Sequence, residues 1–144
     1  MSAPSDPPSI HQTLGQRRLV SMEGGRAIIE YEAGLHMCHS GGVVQGGFVT
    51  GWIDAAMAHA VMGQFGRDIA PMTLEVKVSF FAPARPGLVI AEAWIERAGK
   101  TTCFAEGTLK DSAGAVLAKA SSTLRLVPLA KVEAGSKAAL SGAG

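Results

Sequence analysis

The stretch that decides the fold is Gly46–Phe65, GGFVTGWIDAAMAHAVMGQF, followed after Pro71 by MTLEVKVSF, Met72 to Phe80. The first part is long, rich in Ala and Met, opened by two glycines, and closed by Gly63 and Gly66, so it reads as a helix. It is apolar almost all round, which expects burial on most sides. The second part changes period from 3.6 to 2. Met72, Leu74, Val76, Val78 and Phe80 alternate with Thr73, Glu75, Lys77 and Ser79, which reads as a strand with two unlike faces.

Further along the chain, turns recur at regular spacing. Pro83 to Gly87, Ala98-Gly99 and Asp111 to Gly114 separate strands expected at Leu88 to Arg97, Thr101 to Lys110 and Val116 to Val127. Ahead of the helix, Arg17 to Met22 and Arg26 to Ala33 read as two strands joined at Glu23-Gly24-Gly25, and Gly34 to Gly47 reads as a Gly-rich loop. Two strands, one buried helix and four long strands make an α+β domain, an antiparallel sheet curled around one helix. Residues 1–14, with their early prolines, are expected to be a loose segment, 15–128 the domain, and 129–144, rich in Ala, Gly, Ser and Lys, a flexible tail.

Composition narrows the functional classes. The chain has 144 residues, 47% of them hydrophobic and only 17% charged. That length suits one domain able to bury roughly 68–70% of its unfolded surface. The net charge is +1, with no basic stripe, which argues against nucleic acid as a partner. No apolar run is long enough to span a membrane, and the N-terminus lacks the apolar core of a signal peptide. Cys38 and Cys103 make no disulfide framework, so reduced thiols and a cytoplasmic location are expected.

Two features carry possible chemistry. Gln45-Gly46-Gly47 opens the helix, where the first backbone N–H groups lack internal partners and the helix dipole favours negative charge. Glycine lets a ligand approach that backbone, so an oxyanion would be stabilised there; a sharp glycine turn with no further role is the plainer reading. Asp54 stands among Trp52, Ile53, Ala55, Ala56 and Met57. A carboxylate in such company needs a partner, water or a task, and the task ranks above a merely solvated Asp. Its own helix face carries Gly47, Thr50, Ala58 and Val61, several of them small enough for a ligand or another chain to come close. Gly46 and Asp54 are eight positions apart, ~12 Å along a helix axis. They can act on one centre only if they come from different subunits, so a dimer with two composite sites is expected.

The remaining candidates are weaker. His39 reads equally as a substrate-positioning group and as an ordinary loop histidine. His36, Cys38 and His39 lack a fourth ligand at a recognised spacing, which argues against zinc. His59 reads as a packing or capping residue. Met57, Val61, Met62 and Phe80 could line an apolar pocket, although core packing is the commoner role for such residues.

The ordered set Val44-Gln-Gly-Gly-Phe, Asp54-Ala-Ala, Thr73-Leu-Glu-Val-Lys-Val-Ser-Phe-Phe-Ala-Pro-Ala-Arg-Pro-Gly, Arg97-Ala-Gly-Lys-Thr-Thr and Gly114-Ala-Val-Leu-Ala-Lys-Ala resembles the hotdog-fold acyl-CoA thioesterases of the PaaI-like branch. The resemblance covers roughly residues 15–127. It implies about six antiparallel strands wrapped on the helix, and a homodimer or homotetramer with a continuous sheet. CoA would lie across the subunit interface, with no metal or cofactor. It makes Gly46 the oxyanion-hole N–H and Asp54 the nucleophile or the general base for water. The family pattern has His where this chain has Gln45, and Asn or Gln where it has His39, so both positions are expected at the site in altered form. Gly47 and Ala58 are expected beside the substrate. Arg85, Arg97 and Lys100, at strand ends, are candidates for the CoA phosphates. A non-catalytic acyl-CoA-binding protein is the alternative. A hotdog hydratase or dehydratase ranks third, because the loop His36 to Gly47 lacks the proline those enzymes carry there.

Overall fold

A six-stranded antiparallel sheet wraps the long helix in the computed structural model, which describes residues 8–141. In chain order the elements are α1 (Ile10–Thr13), β1 (Gln16–Glu23), β2 (Arg26–Ala33), a 3-10 turn at Leu35–Met37, β3 (Cys38–His39), β4 (Val43–Val44), α2 (Gly46–Phe65), β5 (Ile69–Phe80), β6 (Gly87–Ala98), β7 (Thr102–Asp111), β8 (Val116–Pro128) and α3 (Leu129–Leu140). The sheet runs β1-β2-β6-β7-β8-β5, so β1 and β5 are its edges. This is the α+β hotdog architecture.

The sheet can hold a helix close because its inner face is small. Ala27, Ala91, Ala93, Ala105, Ala118 and Ala120 are buried beneath α2. Gly107 completes the cradle, since a Cβ there would come within 2.8 Å of Ile53 Cγ2. The helix fills the cradle with Trp52, Ile53, Met57 and Val61, all fully buried. Met57 and Val61 are therefore core residues, and the pocket-lining reading does not hold for them. Tyr31 stacks on Trp52 with ring centroids 5.9 Å apart. The β1–β2 hairpin turns at Gly24 and Gly25, whose φ of 63° and 73° suit glycine.

Three expectations need correction. The strand alternation predicted for β5 breaks. Thr73 pairs with Leu124 and Glu75 with Thr123, so Leu74 is an extra residue, a β-bulge. The bulge puts Thr73 on the helix side with Val76, Val78 and Phe80, while Met72 lies opposite Arg125 on the outer face. The flexible tail expected over 129–144 is a helix over Leu129–Leu140 with no buried residue. Its alanines and lysines favour helix without needing a core, which is why apolar periodicity did not mark it. The loose segment expected over 1–14 contains α1, closed by a capping box in which Ser9 and Gln12 exchange hydrogen bonds. Trp52 Nε1 donates to Leu14 O at 2.7 Å and ties this segment to the core. The expectations for 1–7 and 142–144 lie outside the described residues.

Candidate active site

The start of α2 leaves one amide open. Gln45 is the N-cap, and its Oε1 accepts from Gly47 N at 2.8 Å. Phe48 N donates to Gln45 O at 3.0 Å. The Gly46 N–H is left with no acceptor among the described residues. Gln45 thus holds the turn through its side chain, and Gly47 has its N–H occupied. Gly46 sits at a cavity of about 370 Å³ whose walls include His39, Val43, Val49, Phe80 and Pro83. A Cβ on Gly46 would lie 3.2 Å from Phe80 Cζ, so the aromatic ring packs directly on this glycine. His39, whose Nδ1 lies 3.2 Å from Ser40 O, shares the cavity with it.

Asp54 is elsewhere. Its half-buried carboxylate accepts from Thr73 Oγ1 at 2.8 Å, across from α2 to β5. It borders a second depression, of about 320 Å³, floored by Gly51, Ala55 and Ala58 and walled by Ile10, Leu14, His11 and His59. The two cavities share no lining residue. One protomer therefore groups Gly46 with His39, and Asp54 with Ala58, but does not bring the two groups together. Thr73 was hidden from the sequence reading because unbroken alternation assigned it to the other face.

His59 is buried, and its Nδ1 lies 2.7 Å from Ala55 O. A carbonyl only accepts, so Nδ1 carries the proton. Burial is the main cause that pushes this imidazole below its ordinary pKa of 6.5; the nearby His11 and Arg67 push the same way, and the Ala55 hydrogen bond opposes them. His11 packs edge-on to it with ring centroids 5.8 Å apart. That pairing had no sequence signal beyond two histidines, since α1 was not expected to be ordered.

The basic candidates separate. Arg85 Nη1 donates to Gly41 O at 3.3 Å and lines a depression that shares Ala82 and Pro83 with the Gly46 cavity. Arg97 and Lys100 are exposed at the far end of β6, on the order of 35 Å away along the strand. Among the described residues, no three His, Cys, Asp or Glu side chains converge as a metal site, and no helix is long and apolar enough to cross a membrane.

A sheet wrapped on a helix, an open amide at the helix start and a carboxylate held on the same helix define a thioesterase-type hotdog protein. Residues 41–118 match the Thioesterase superfamily, and the chain belongs to it. It is similar to a candidate thioesterase from Ralstonia eutropha described as related to phenylacetic acid degradation, at 30% identity and TM-score 0.74, covering 84% of this chain and 92% of that one. The candidate esterase SSO2140 of Saccharolobus solfataricus is 29% identical over 103 residues, 72% of this chain and 73% of that protein. The fold is shared with smu.793 of Streptococcus mutans, solved bound to acetyl-CoA, at TM-score 0.70 and 19% identity over 76% of this chain and 87% of that one.

Proposed function

We propose that this chain is an acyl-CoA thioesterase whose site is assembled from two protomers, hydrolysing an acyl-CoA to a free acid and CoA. The observation that carries this reading is the division of labour along α2. An unpaired Gly46 N–H opens one cavity, and a carboxylate gripped by Thr73 borders another.

The edge strand supplies a way to join them. Thr73 touches Asp54 and Phe80 touches Gly46, and the two lie seven positions apart on β5. Two copies of an antiparallel edge paired about a two-fold axis between these positions set Thr73 of the partner subunit opposite Phe80. Asp54 of the partner subunit then faces the Gly46 cavity. The Gly46 N–H polarises the thioester carbonyl and stabilises the developing oxyanion. The partner's Asp54 either takes a proton from water as that water attacks, or attacks the carbon itself and is released by water. In both cases the C–S bond breaks and CoA leaves as the thiol. His39 positions the thioester from the cavity wall, Gln45 braces the glycine turn, and Arg85 is best placed for the CoA phosphates. The acetyl-CoA complex of the Streptococcus mutans protein favours the same ligand class.

A second reading, binding without hydrolysis, is favoured by one detail. Gln45, where the resemblance noted above would place a His, spends its side chain on Gly47 N. A panel of acyl-CoA esters with free-thiol detection separates the two. Thiol release that disappears in Asp54→Asn supports hydrolysis. Binding of the esters with no thiol released contradicts it.

A further inference from the structure

Helix α1 is anchored at its base and weakly held beyond it. At the base, Trp52 Nε1 donates to Leu14 O at 2.7 Å and Glu32 N donates to Gly15 O at 2.8 Å. Gly15, with φ 74°, turns the chain from α1 into β1, and a Cβ there would come within 2.6 Å of Glu32 O. Beyond that point α1 buries no residue, and its capping box joins Ser9 only to Gln12. His11 Nδ1 donates to Gln16 Oε1 at 3.1 Å, a bond that reaches no farther than the start of β1. What α1 lies over is the depression beside Asp54, where Ile10 and His11 meet Ala58 and His59 of α2 across one hollow.

His59 is the counterpart of His11 on α2. It is buried, its Nδ1–H is committed to Ala55 O, and His11 packs edge-on to it with ring centroids 5.8 Å apart. Arg67, just past the end of α2, opposes a positive charge on His59, as does His11 when charged. Asp54 borders the same depression, but its carboxylate accepts from Thr73 Oγ1 at 2.8 Å. Glu23 is the acidic residue that β1 brings to this end of α2; its backbone N lies 3.1 Å from where a Gly63 Cβ would stand, one turn past His59. Burial penalises the charged imidazole of His59 while α1 is in place. A form with α1 lifted lets water reach that ring and takes up the proton more readily, so the balance moves toward it as pH falls through the ordinary value of 6.5. Once both rings are charged, their repulsion across 5.8 Å adds about tenfold in the same direction.

We propose that α1 is an acid-released latch: protonation of His59 and His11 sets like charges edge to edge beside Arg67 and frees α1 from α2, uncovering the depression that Asp54 borders. Four residues cannot hold a helix without support, so α1 melts when it lifts, while the bonds at Leu14 and Gly15 keep β1 in register. Release changes the water around Asp54 without disturbing the helix that carries it. The latch does not depend on the thioesterase reading, because none of its contacts involves a substrate.

The test is amide hydrogen exchange on the full chain at about pH 7.5 and about pH 5, on either side of the histidine range, with intrinsic exchange rates corrected for pH. Thr13 N and Leu14 N, which donate to Ser9 O and Ile10 O, report the latch, and the amides of α2 report the body. Protection at Thr13 and Leu14 is expected to fall about tenfold from the higher to the lower pH while α2 keeps its protection. His59→Gln is expected to abolish the fall, and His11→Gln to reduce it. Salt at about 1 M, where charges are screened within about 3 Å, reduces it as well. His11 is exposed, so His11→Gln decides the matter even if His59→Gln fails to fold. Protection in α1 that is the same at both pH values, a fall that His11→Gln or high salt leaves whole, or α1 and α2 losing protection together would overturn the proposal.

Discussion

The two edges of the sheet are built differently. On β1, Arg17 pairs with Glu32 at 2.9 Å and Arg18 with Glu30 at 3.0 Å, and register shifts interrupt the strand twice in eight residues. Charge and irregularity are the usual ways of keeping an edge from recruiting another strand. The β5 edge is longer, at twelve residues, and carries exposed Met72, Leu74 and Phe80, with Leu74 62% accessible. It carries its own irregularities, Pro71 and the bulge at Leu74, and two charges of opposite sign, Glu75 and Lys77. The contrast is one of degree: ion pairs line the β1 edge, whereas the β5 edge is longer and more apolar, the kind of surface the proposed dimer would cover. The more apolar edge is also the one that holds Thr73 against Asp54 and Phe80 against Gly46.

The largest effect expected is chemical. Asp54→Asn should lower kcat on a hydrolysed ester by ~10²–10⁴ with the circular dichroism spectrum unchanged. Unaltered turnover would remove Asp54 from the mechanism. Next comes the edge itself. Leu74→Glu combined with Met72→Glu should shift the protein to protomer mass in light scattering and lower activity about a hundredfold. Val20→Glu on the β1 edge, 41% accessible, should change neither quantity. Equal effects at both edges would erase the distinction drawn here. Thr73→Val should cost about tenfold in kcat with little change in KM, because it removes one hydrogen bond that orients the carboxylate.

Much of this layout could be read before any coordinates. The glycine-bounded apolar helix, the regularly spaced turns and the incompatible separation of Gly46 and Asp54 follow from period, spacing and rise per residue. The bulge at Leu74 could not be read. Thr73 and Leu74 both fit an unbroken alternation, and only pairing with β8 shows the slip. Thr73 was missed for that reason, and with it the hydrogen bond that fixes Asp54. The ordering of α1 was missed although Ser9 and Gln12 stand at capping-box spacing, and the bond from Trp52 to Leu14 O that ties the segment to the core is long-range and has no sequence signal. His11 and His59 came together only as a consequence.

Two smaller effects test the core beneath the edges. The Tyr31 hydroxyl is buried without a partner, and burial alone raises its pKa far above the usual phenol. Tyr31→Phe should therefore stabilise the fold, by about 1 kcal/mol in urea denaturation. His59 has a lowered folded-state pKa, so the unfolded chain takes up the proton first as pH falls. Stability from this group is present above the unfolded value of 6.5 and declines as pH drops below it. Melting temperature should fall on going from neutral to mildly acidic buffer, and less so in His59→Gln.

The shared site is tested most directly by mixing two inactive proteins. Gly46→Val places a side chain against Phe80 and blocks the amide; Asp54→Asn removes the carboxylate. Unfolded and refolded together, they form mixed dimers in which one of the two sites keeps both groups. Activity should return to roughly a quarter of the wild-type level, since about half the dimers are mixed and each holds one intact site. A mixture as inactive as its two components would contradict a catalytic centre assembled from two chains.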